Sequence, residues 1–206
     1  MQELRSFICS RQIVNLTIVG ANIVLFIALS FIGDTEELLF MIRHGANYTS
    51  AVLEGGEYYR LVTSMFLHFG AEHLVYNMLV LIFMGDVLEK VAGKMNYFLI
   101  YFIGGIAGNV MSLWSDWKVG KVTVSAGASG AIFAVVGALL WIMLRNKGRV
   151  EDYSGKRLLL MAGLSVAEGI TTSGVDNWAH IGGMVAGFLL AIILYRKKHE
   201  SSVSIE

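Results

Sequence analysis

Long stretches without charged residues constrain the fold of this chain most strongly. A helix needs about 20 mostly apolar residues to cross the hydrocarbon layer of a bilayer. Four stretches approach or exceed that length, at residues 12–33, 95–115, 126–144 and 177–195. Only 16% of the 206 residues are charged and 55% are hydrophobic, whereas about a quarter of a soluble domain is charged. The sequence therefore predicts a polytopic, all-α membrane protein.

Two further spans are predicted at residues 72–90 and 157–175, although acidic residues interrupt both stretches. A charged side chain at mid-membrane costs about 2.5–3.5 kcal/mol on insertion scales. With six spans and both ends cytoplasmic, twelve of the 16 Lys and Arg residues fall inside, and the four outside are Arg43, Arg60, Lys118 and Lys121. Because cytoplasmic loops carry the excess of basic residues, we expect short cytoplasmic tails at 1–11 and 196–206.

The long connection between the first two spans is predicted to lie outside the membrane. Two of its segments, Leu38–Met41 and Tyr58–Val62, mix apolar and polar residues as interfacial helices do. No repeat or linker divides the chain, so we expect one domain over residues 1–206. A formal net charge of zero and the lack of a P-loop or dinucleotide fingerprint argue against nucleic-acid or nucleotide partners, and no cofactor or metal is predicted.

Polar side chains at membrane depth are functional candidates because each carries a desolvation cost. His73 and Asn77 lie four residues apart on one face of the second span, Ser129 opens the fourth span, and His180 opens the sixth. In the predicted topology all of them lie near the outer surface. A helix over residues 128–144 is only about 25 Å long, so Ser129 is expected below that surface, beside a water-filled pocket.

Small residues predict that the helices of Ser129 and His180 touch. Gly183 and Gly187 share the face of His180, and the fourth span carries small residues near Ser129, namely Gly130, Ala134 and Gly137. Close approach would bring His180 within hydrogen-bond reach of Ser129, which is the geometry of a serine nucleophile and its general base. Taken singly, however, a serine in a glycine-rich helix is commonly a packing residue, and an intramembrane histidine is often structural.

Five motifs occur in a defined order, namely Tyr59-Arg60, His73-x-x-x-Asn77, Gly85-x-x-x-Glu89, Gly127-x-Ser129-Gly130 and Ala179-His180-x-x-Gly183-x-x-x-Gly187. In this pattern the chain resembles the rhomboid family of intramembrane serine proteases. The resemblance implies the six-helix rhomboid fold, a bacterial plasma-membrane location, and cleavage of transmembrane substrates near the outer surface, after a small residue.

The resemblance also implies roles for individual residues. Ser129 would be the nucleophile and His180 the base of a dyad without an acid, and the oxyanion hole would be formed by His73, Asn77 and the Ser129 backbone N–H. The supporting residues would be Gly127, Gly130, Phe133, Gly183, Gly187, Arg60 and Glu89. Among these, Phe133 would stack on the histidine, and Arg60 and Glu89 would brace the first loop.

Other interpretations of the same residues remain open. The chain could be a catalytically inactive, client-binding relative of these proteases, or a six-span transporter motivated by Asn77 and Glu168. Asp176 precedes His180 by four residues and could mimic a triad acid, but an Asp before a helix is usually an N-cap. His68 and His73 are five residues apart, which fits two zinc ligands on one helix turn poorly.

Overall fold

The computed structural model describes residues 12–150, 153–154, 163 and 175–195. Helices dominate this part of the chain. The helices are α1 (Ile13–Ile32), α2 (Leu38–Arg43), α3 (Thr49–Leu53), α4 (Arg60–Thr63, continued by a 3-10 turn at Ser64–Phe66), α5 (Gly70–Val80), α6 (Asp86–Ala92), α7 (Lys94–Val119), α8 (Ser129–Arg145) and α9 (Asn177–Leu194). The strands are β1 (Asn47–Tyr48), β2 (Val124–Ser125), β3 (Arg149–Val150) and β4 (Tyr153–Ser154).

Three of the described helices, α1, α7 and α9, are long and apolar enough to cross a membrane. The apolar helix α8 is shorter, with 17 residues. These helices confirm the predicted class, a mostly helical polytopic membrane protein. Two short antiparallel strand pairs, β1 with β2 and β3 with β4, are the additions that the all-α prediction did not include. The predicted fifth span, 157–175, lies almost wholly outside the described residues, as does Glu168.

The third span is longer than the sequence predicts. The apolar stretch ends at residue 115, but α7 continues to Val119, and Gly120 closes it in the left-handed conformation (φ 65°). Asp116 does not end the helix because its carboxylate is buried and accepts hydrogen bonds from the hydroxyls of Thr49 (2.7 Å) and Thr123. The acidic residue instead ties α7 to the two segments that pair as β1 and β2.

A π-helical turn over Leu81–Gly85 joins α5 to α6, so that the second span runs without a break from residue 70 to residue 92. Asn15 of α1 donates from its amide nitrogen to the Leu81 carbonyl (3.0 Å) and to the Asp86 carboxylate (2.7 Å). The hydroxyl of Tyr97 donates to the Asn15 side-chain oxygen (2.6 Å). A π turn disturbs the regular helix hydrogen bonds, and this buried network supplies partners at that point.

Helices α7, α8 and α9 pack directly against one another, and α8 is the most deeply buried of the three. The first residue of α8 and the first turn of α9 lie at the same end of this group, next to β2 and to the start of α5. Strand β2 pairs antiparallel with β1, with Asn47 opposite Ser125 and Tyr48 opposite Val124. This pairing fixes the segment that leads into α8, and therefore the position of Ser129.

Candidate active site

Ser129 and His180 form a hydrogen-bonded pair at the beginnings of α8 and α9. The distance between Ser129 Oγ and His180 Nε2 is 2.9 Å. Ser129 is the first residue of α8, and His180 lies in the first turn of α9. The His180 side chain is buried, whereas Ser129 is partly exposed. The structure therefore brings together the two residues that the sequence pattern singled out.

Two glycines of α9 allow this close approach. A Cβ atom at Gly183 would lie 2.1 Å from the Gly130 carbonyl oxygen, and one at Gly187 would lie 1.9 Å from the carbonyl oxygen of Ala134. Neither distance is compatible with a side chain unless the helix backbones separate. The small-residue faces predicted for the fourth and sixth spans are thus the faces in contact.

Phe133 holds the imidazole of His180 from one side. The two rings are stacked, with centroids 4.1 Å apart and planes inclined by only 8°. Phe133 lies one turn after Ser129 on α8, so the same helix carries the hydroxyl and the ring that orients its partner. A stacked ring restricts rotation of the imidazole about its side-chain bonds, which keeps Nε2 directed at Ser129 Oγ.

His73 and Asn77 lie on α5 and face the same cavity as Ser129. A Cβ atom at Gly127 would lie 2.9 Å from His73 Nε2 and 3.7 Å from Ser129 Oγ, so the empty space at Gly127 separates the imidazole from the hydroxyl. The amide nitrogen of Asn77 donates to the backbone carbonyl of His73 (2.8 Å). One of the two amide hydrogens of Asn77 is therefore bonded within its own helix, and the second is left to donate to another acceptor.

Gly127 adopts φ +146°, a backbone conformation that residues other than glycine rarely adopt. We expect Gly127→Ala to lower the rate of any Ser129-dependent reaction at least about tenfold, because the methyl group would displace His73 and the backbone before Ser129. The measurement is a comparison of reaction rate and thermal unfolding with the wild type.

Gly93→Ala is a control for this prediction, because Gly93 also has a positive φ (88°) but lies in the α6–α7 turn, where no atom comes within 4 Å of the added methyl carbon. We expect it to destabilise the fold without a specific loss of rate. An unchanged rate in folded Gly127→Ala would contradict the assigned geometry.

The pair faces a cavity of about 520 Å³. Its described walls come from α5, from the segment before α8, and from the first turns of α8 and α9. Three carboxylate residues, Glu36, Glu72 and Asp176, are among the lining residues, together with the aromatic side chains of Tyr76 and Phe133.

Asp176 is the N-cap of α9, as the sequence predicted. One of its carboxylate oxygens accepts a hydrogen bond from the Ala179 backbone N–H (3.0 Å). The other accepts one from the hydroxyl of Ser112 on α7 (2.5 Å). Asp176 thus anchors the helix that carries His180 against α7, and no hydrogen bond of Asp176 to the His180 ring is seen among the described residues.

Arg60 holds parts of the first loop together and, among the described residues, makes no hydrogen bond to Ser129 or His180. Its guanidinium donates to the carbonyls of Ile42 (2.7 Å) and Ala46 (2.9 Å) and to the carboxylate of Glu57 (2.7 Å). Hydrogen bonds from the Tyr59 hydroxyl and from Arg60 lower the pKa of Glu57 below its ordinary value. The buried guanidinium of Arg60 therefore links residues 42, 46 and 57 of the loop.

The expected role of Glu89 in bracing the first loop was wrong. Its carboxylate accepts hydrogen bonds from the backbone N–H groups of Val14 (3.1 Å) and Asn15 (2.7 Å), in the first turn of α1. The first N–H groups of a helix have no intrahelical acceptor, and an anion there is favoured by the helix dipole. Glu89 thus joins the second span to the beginning of the first, far from the loop along the chain.

Three residues that the sequence analysis did not assign to the site hold the segment before Ser129. The backbone N–H of Gly127 donates to the Ser64 carbonyl (2.9 Å), and that of Ala128 donates to His68 Nε2 (3.4 Å). Asn109 of α7 donates to the Ser64 hydroxyl oxygen (3.0 Å). The only sequence signal was that these are polar residues in apolar surroundings, and their partners are distant along the chain.

Comparisons with known proteins agree with this arrangement. Residues 55–197 match the Rhomboid domain family. The chain belongs to the rhomboid family.

Among its relatives, the rhomboid protease GluP of Bacillus subtilis is 34% identical over 177 residues, which cover 85% of this chain. RHOMBOID-like protein 6, mitochondrial, of Arabidopsis thaliana is 37% identical over 80% of the chain. The rhomboid protease AarA of Providencia stuartii is 33% identical, also over 80%. The matches span 34%, 52% and 65% of the lengths of these three rhomboid relatives. The resemblance that the sequence motifs indicated is confirmed.

The rhomboid site contains no arrangement suited to a metal ion within the described ranges, where three or more His, Cys, Asp or Glu residues never converge. The two histidines that drew attention in the sequence, His68 and His73, meet edge to face with ring centroids 5.1 Å apart. The two imidazoles therefore pack directly against each other.

Proposed function

We propose that this rhomboid is a serine-type intramembrane endopeptidase that cleaves transmembrane substrates near the outer membrane surface. The observation that carries the proposal is the 2.9 Å contact between Ser129 Oγ and His180 Nε2 inside a cavity. A hydroxyl bonded to an imidazole is the activated nucleophile of many acyl-transfer enzymes. Relatives named rhomboid proteases support the same activity.

The chemistry follows from the positions of the two side chains. Ser129 Oγ attacks the carbonyl carbon of the scissile peptide bond while His180 Nε2 accepts the hydroxyl proton. The tetrahedral intermediate then expels the amine of the leaving segment, which receives that proton from His180. Water, deprotonated by His180, cleaves the resulting acyl ester and regenerates the serine.

The negative charge of the intermediate needs donors that are already in place. We infer that the backbone N–H of Ser129, the imidazole of His73 and the remaining amide hydrogen of Asn77 supply them. Removing one such donor from a serine protease costs about 10²–10³ in turnover. Phe133 supports the reaction indirectly, through its stacking on His180.

We further propose that both termini lie in the cytoplasm and that the cavity opens toward the outside of a bacterial plasma membrane. The support is the distribution of basic residues, of which only Arg43, Arg60, Lys118 and Lys121 fall outside in this topology. In this orientation the N-terminal ends of α8 and α9 lie at the outer side. Ser129 then faces peptide bonds close to that surface.

The substrate is a transmembrane helix that unwinds locally, because hydrogen-bonded helical backbone shields its peptide bonds from attack. We expect cleavage after a small residue, in a segment with helix-weakening residues. Entry past the second span is supported by the cavity wall that α5 forms with His73, Tyr76, Asn77 and Val80. The other predicted side of the entrance, the fifth span, lies outside the described residues.

The experiment is product analysis by mass spectrometry after the purified protein meets a panel of single-span substrates in liposomes. We expect one cleavage near the outer end of the substrate helix, and no product with Ser129→Ala. Substrate that binds but stays intact with the wild type would favour the client-binding alternative. Flux of a solute that survives in Ser129→Ala would favour the transporter.

A further inference from the structure

The first loop holds the two peptide groups that precede the nucleophile. The carbonyl of Ser64 binds the N–H of Gly127, and His68 Nε2 binds the N–H of Ala128. Peptide groups are planar, so these two bonds fix the orientation of two successive planes. Only the backbone angles of Ala128, φ −73° and ψ −6°, separate the second plane from the one that contains the Ser129 N–H.

The Ser129 N–H itself is the first donor of α8, and the first donors of a helix have no acceptor within the helix. It is therefore available to a ligand in the cavity, at the positive end of a 17-residue helix. Its direction is set by the planes before it. A small rotation of the Ala128 peptide would turn this N–H away from an oxyanion.

The side chain of His68 is buried beside the segment that precedes Ser129. The ring of His68 is 1% exposed, and it contacts the backbone of Phe66 as well as the N–H of Ala128. Because Nε2 accepts from a backbone N–H, the ring is neutral and carries its proton on Nδ1. Burial of a polar ring costs free energy unless it is hydrogen-bonded, and the bond to Ala128 compensates for the burial of Nε2.

The same ring also contacts the second proposed oxyanion donor. His68 meets His73 edge to face, with centroids 5.1 Å apart and planes at 71°. One buried side chain therefore touches both the peptide that orients the Ser129 N–H and the imidazole that lies across Gly127 from the hydroxyl.

We propose that His68 is a positioning residue for the oxyanion hole, which acts by accepting the Ala128 N–H through Nε2 and so aligning the Ser129 N–H. This inference rests on the proposed protease activity. His68 contacts no reacting atom, so its effect falls on the transition state, where the oxyanion develops, and leaves the binding of the substrate unchanged.

Two substitutions distinguish the role of the hydrogen-bond acceptor at His68 from the role of its ring. His68→Phe keeps a ring against His73 but removes the acceptor, and His68→Gln offers a side-chain oxygen to the Ala128 N–H. We expect His68→Phe to lower kcat about 10- to 100-fold with KM within about twofold of the wild type. We expect His68→Gln to recover kcat to within about threefold of the wild type. Labelling of Ser129 by a small fluorophosphonate should slow in parallel with kcat.

Thermal unfolding of each variant in detergent serves as the control for folding, and rates are expressed per folded molecule. Wild-type kcat in folded His68→Phe, or a rise in KM with kcat unchanged, would overturn the proposal. If His68→Phe does not fold, the test of the proposal rests on His68→Gln. A kcat that falls more than about tenfold in folded His68→Gln would contradict the role of His68 as an acceptor. Failure of the protease proposal is distinguishable, because the wild type would then neither cleave nor label.

Discussion

Ser129→Ala is expected to reduce cleavage of a transmembrane substrate to the uncatalysed level. Removal of a serine nucleophile from a serine protease lowers kcat on the order of 10⁶-fold. The change removes one partly exposed oxygen, whose one hydrogen-bond partner among the described residues is His180. We therefore expect the fold to persist, and the measurement is the initial rate of substrate cleavage in liposomes, with thermal unfolding in parallel.

A matched control is Ser30→Ala, which also removes a serine hydroxyl from a membrane-spanning helix. The Ser30 hydroxyl donates to the Phe26 carbonyl within α1 and lies at an exposed position. The Ser30→Ala variant should cleave the substrate at the wild-type rate. Cleavage by Ser129→Ala at the wild-type rate would mean that another group is the nucleophile.

Gly187→Ala is expected to separate α8 from α9 and to remove activity, although Gly187 is not among the residues that line the cavity beside Ser129. The added methyl carbon would lie 1.9 Å from the Ala134 carbonyl oxygen, an atom of the helix backbone that cannot turn aside. Overpacking of this kind costs about 1–3 kcal/mol of unfolding free energy, and occasionally more. A displacement of His180 from Ser129 by about 1 Å would cost a further factor of about 100 in rate.

Gly20→Ala is the control for this prediction, because Gly20 lies in the middle of α1 with no atom within 4 Å of its added methyl carbon. Alanine is the better helix former, so this variant should be at least as stable as the wild type and fully active. Thermal unfolding and cleavage rate are measured for both variants. Equal stability of Gly187→Ala and Gly20→Ala would contradict the close contact of the two helices.

The contact between Ser129 and His180 could be predicted from the sequence because it depends on patterns within each of the two helices. The placement of Gly183 and Gly187 on the face of His180 follows from helix periodicity. The N-cap at Asp176 is likewise a local signal, and in the structure its carboxylate accepts a hydrogen bond from the Ala179 N–H. Each of these inferences needed only residues within a single helix.

The remaining features depend on partners far apart in the chain. The contacts of Asn15 with the π turn, and of Glu89 with the start of α1, join residues that are 66 and 74 or more positions apart. The sequence shows that such polar residues need partners, but several segments offer them, and for Glu89 it does not distinguish the first loop from α1. The bond from Ala128 to His68 spans 60 positions and involves a backbone N–H, which leaves no pattern in the side chains.

Fluorophosphonate labelling of the purified protein tests the central claim most directly, because the probe reacts only with a serine that a base activates. We predict a single labelled peptide that contains Ser129 in the wild type, and the absence of that label in Ser129→Ala and in His180→Ala. Labelling of folded Ser129→Ala to the wild-type extent, or failure of the folded wild type to react, would contradict the account.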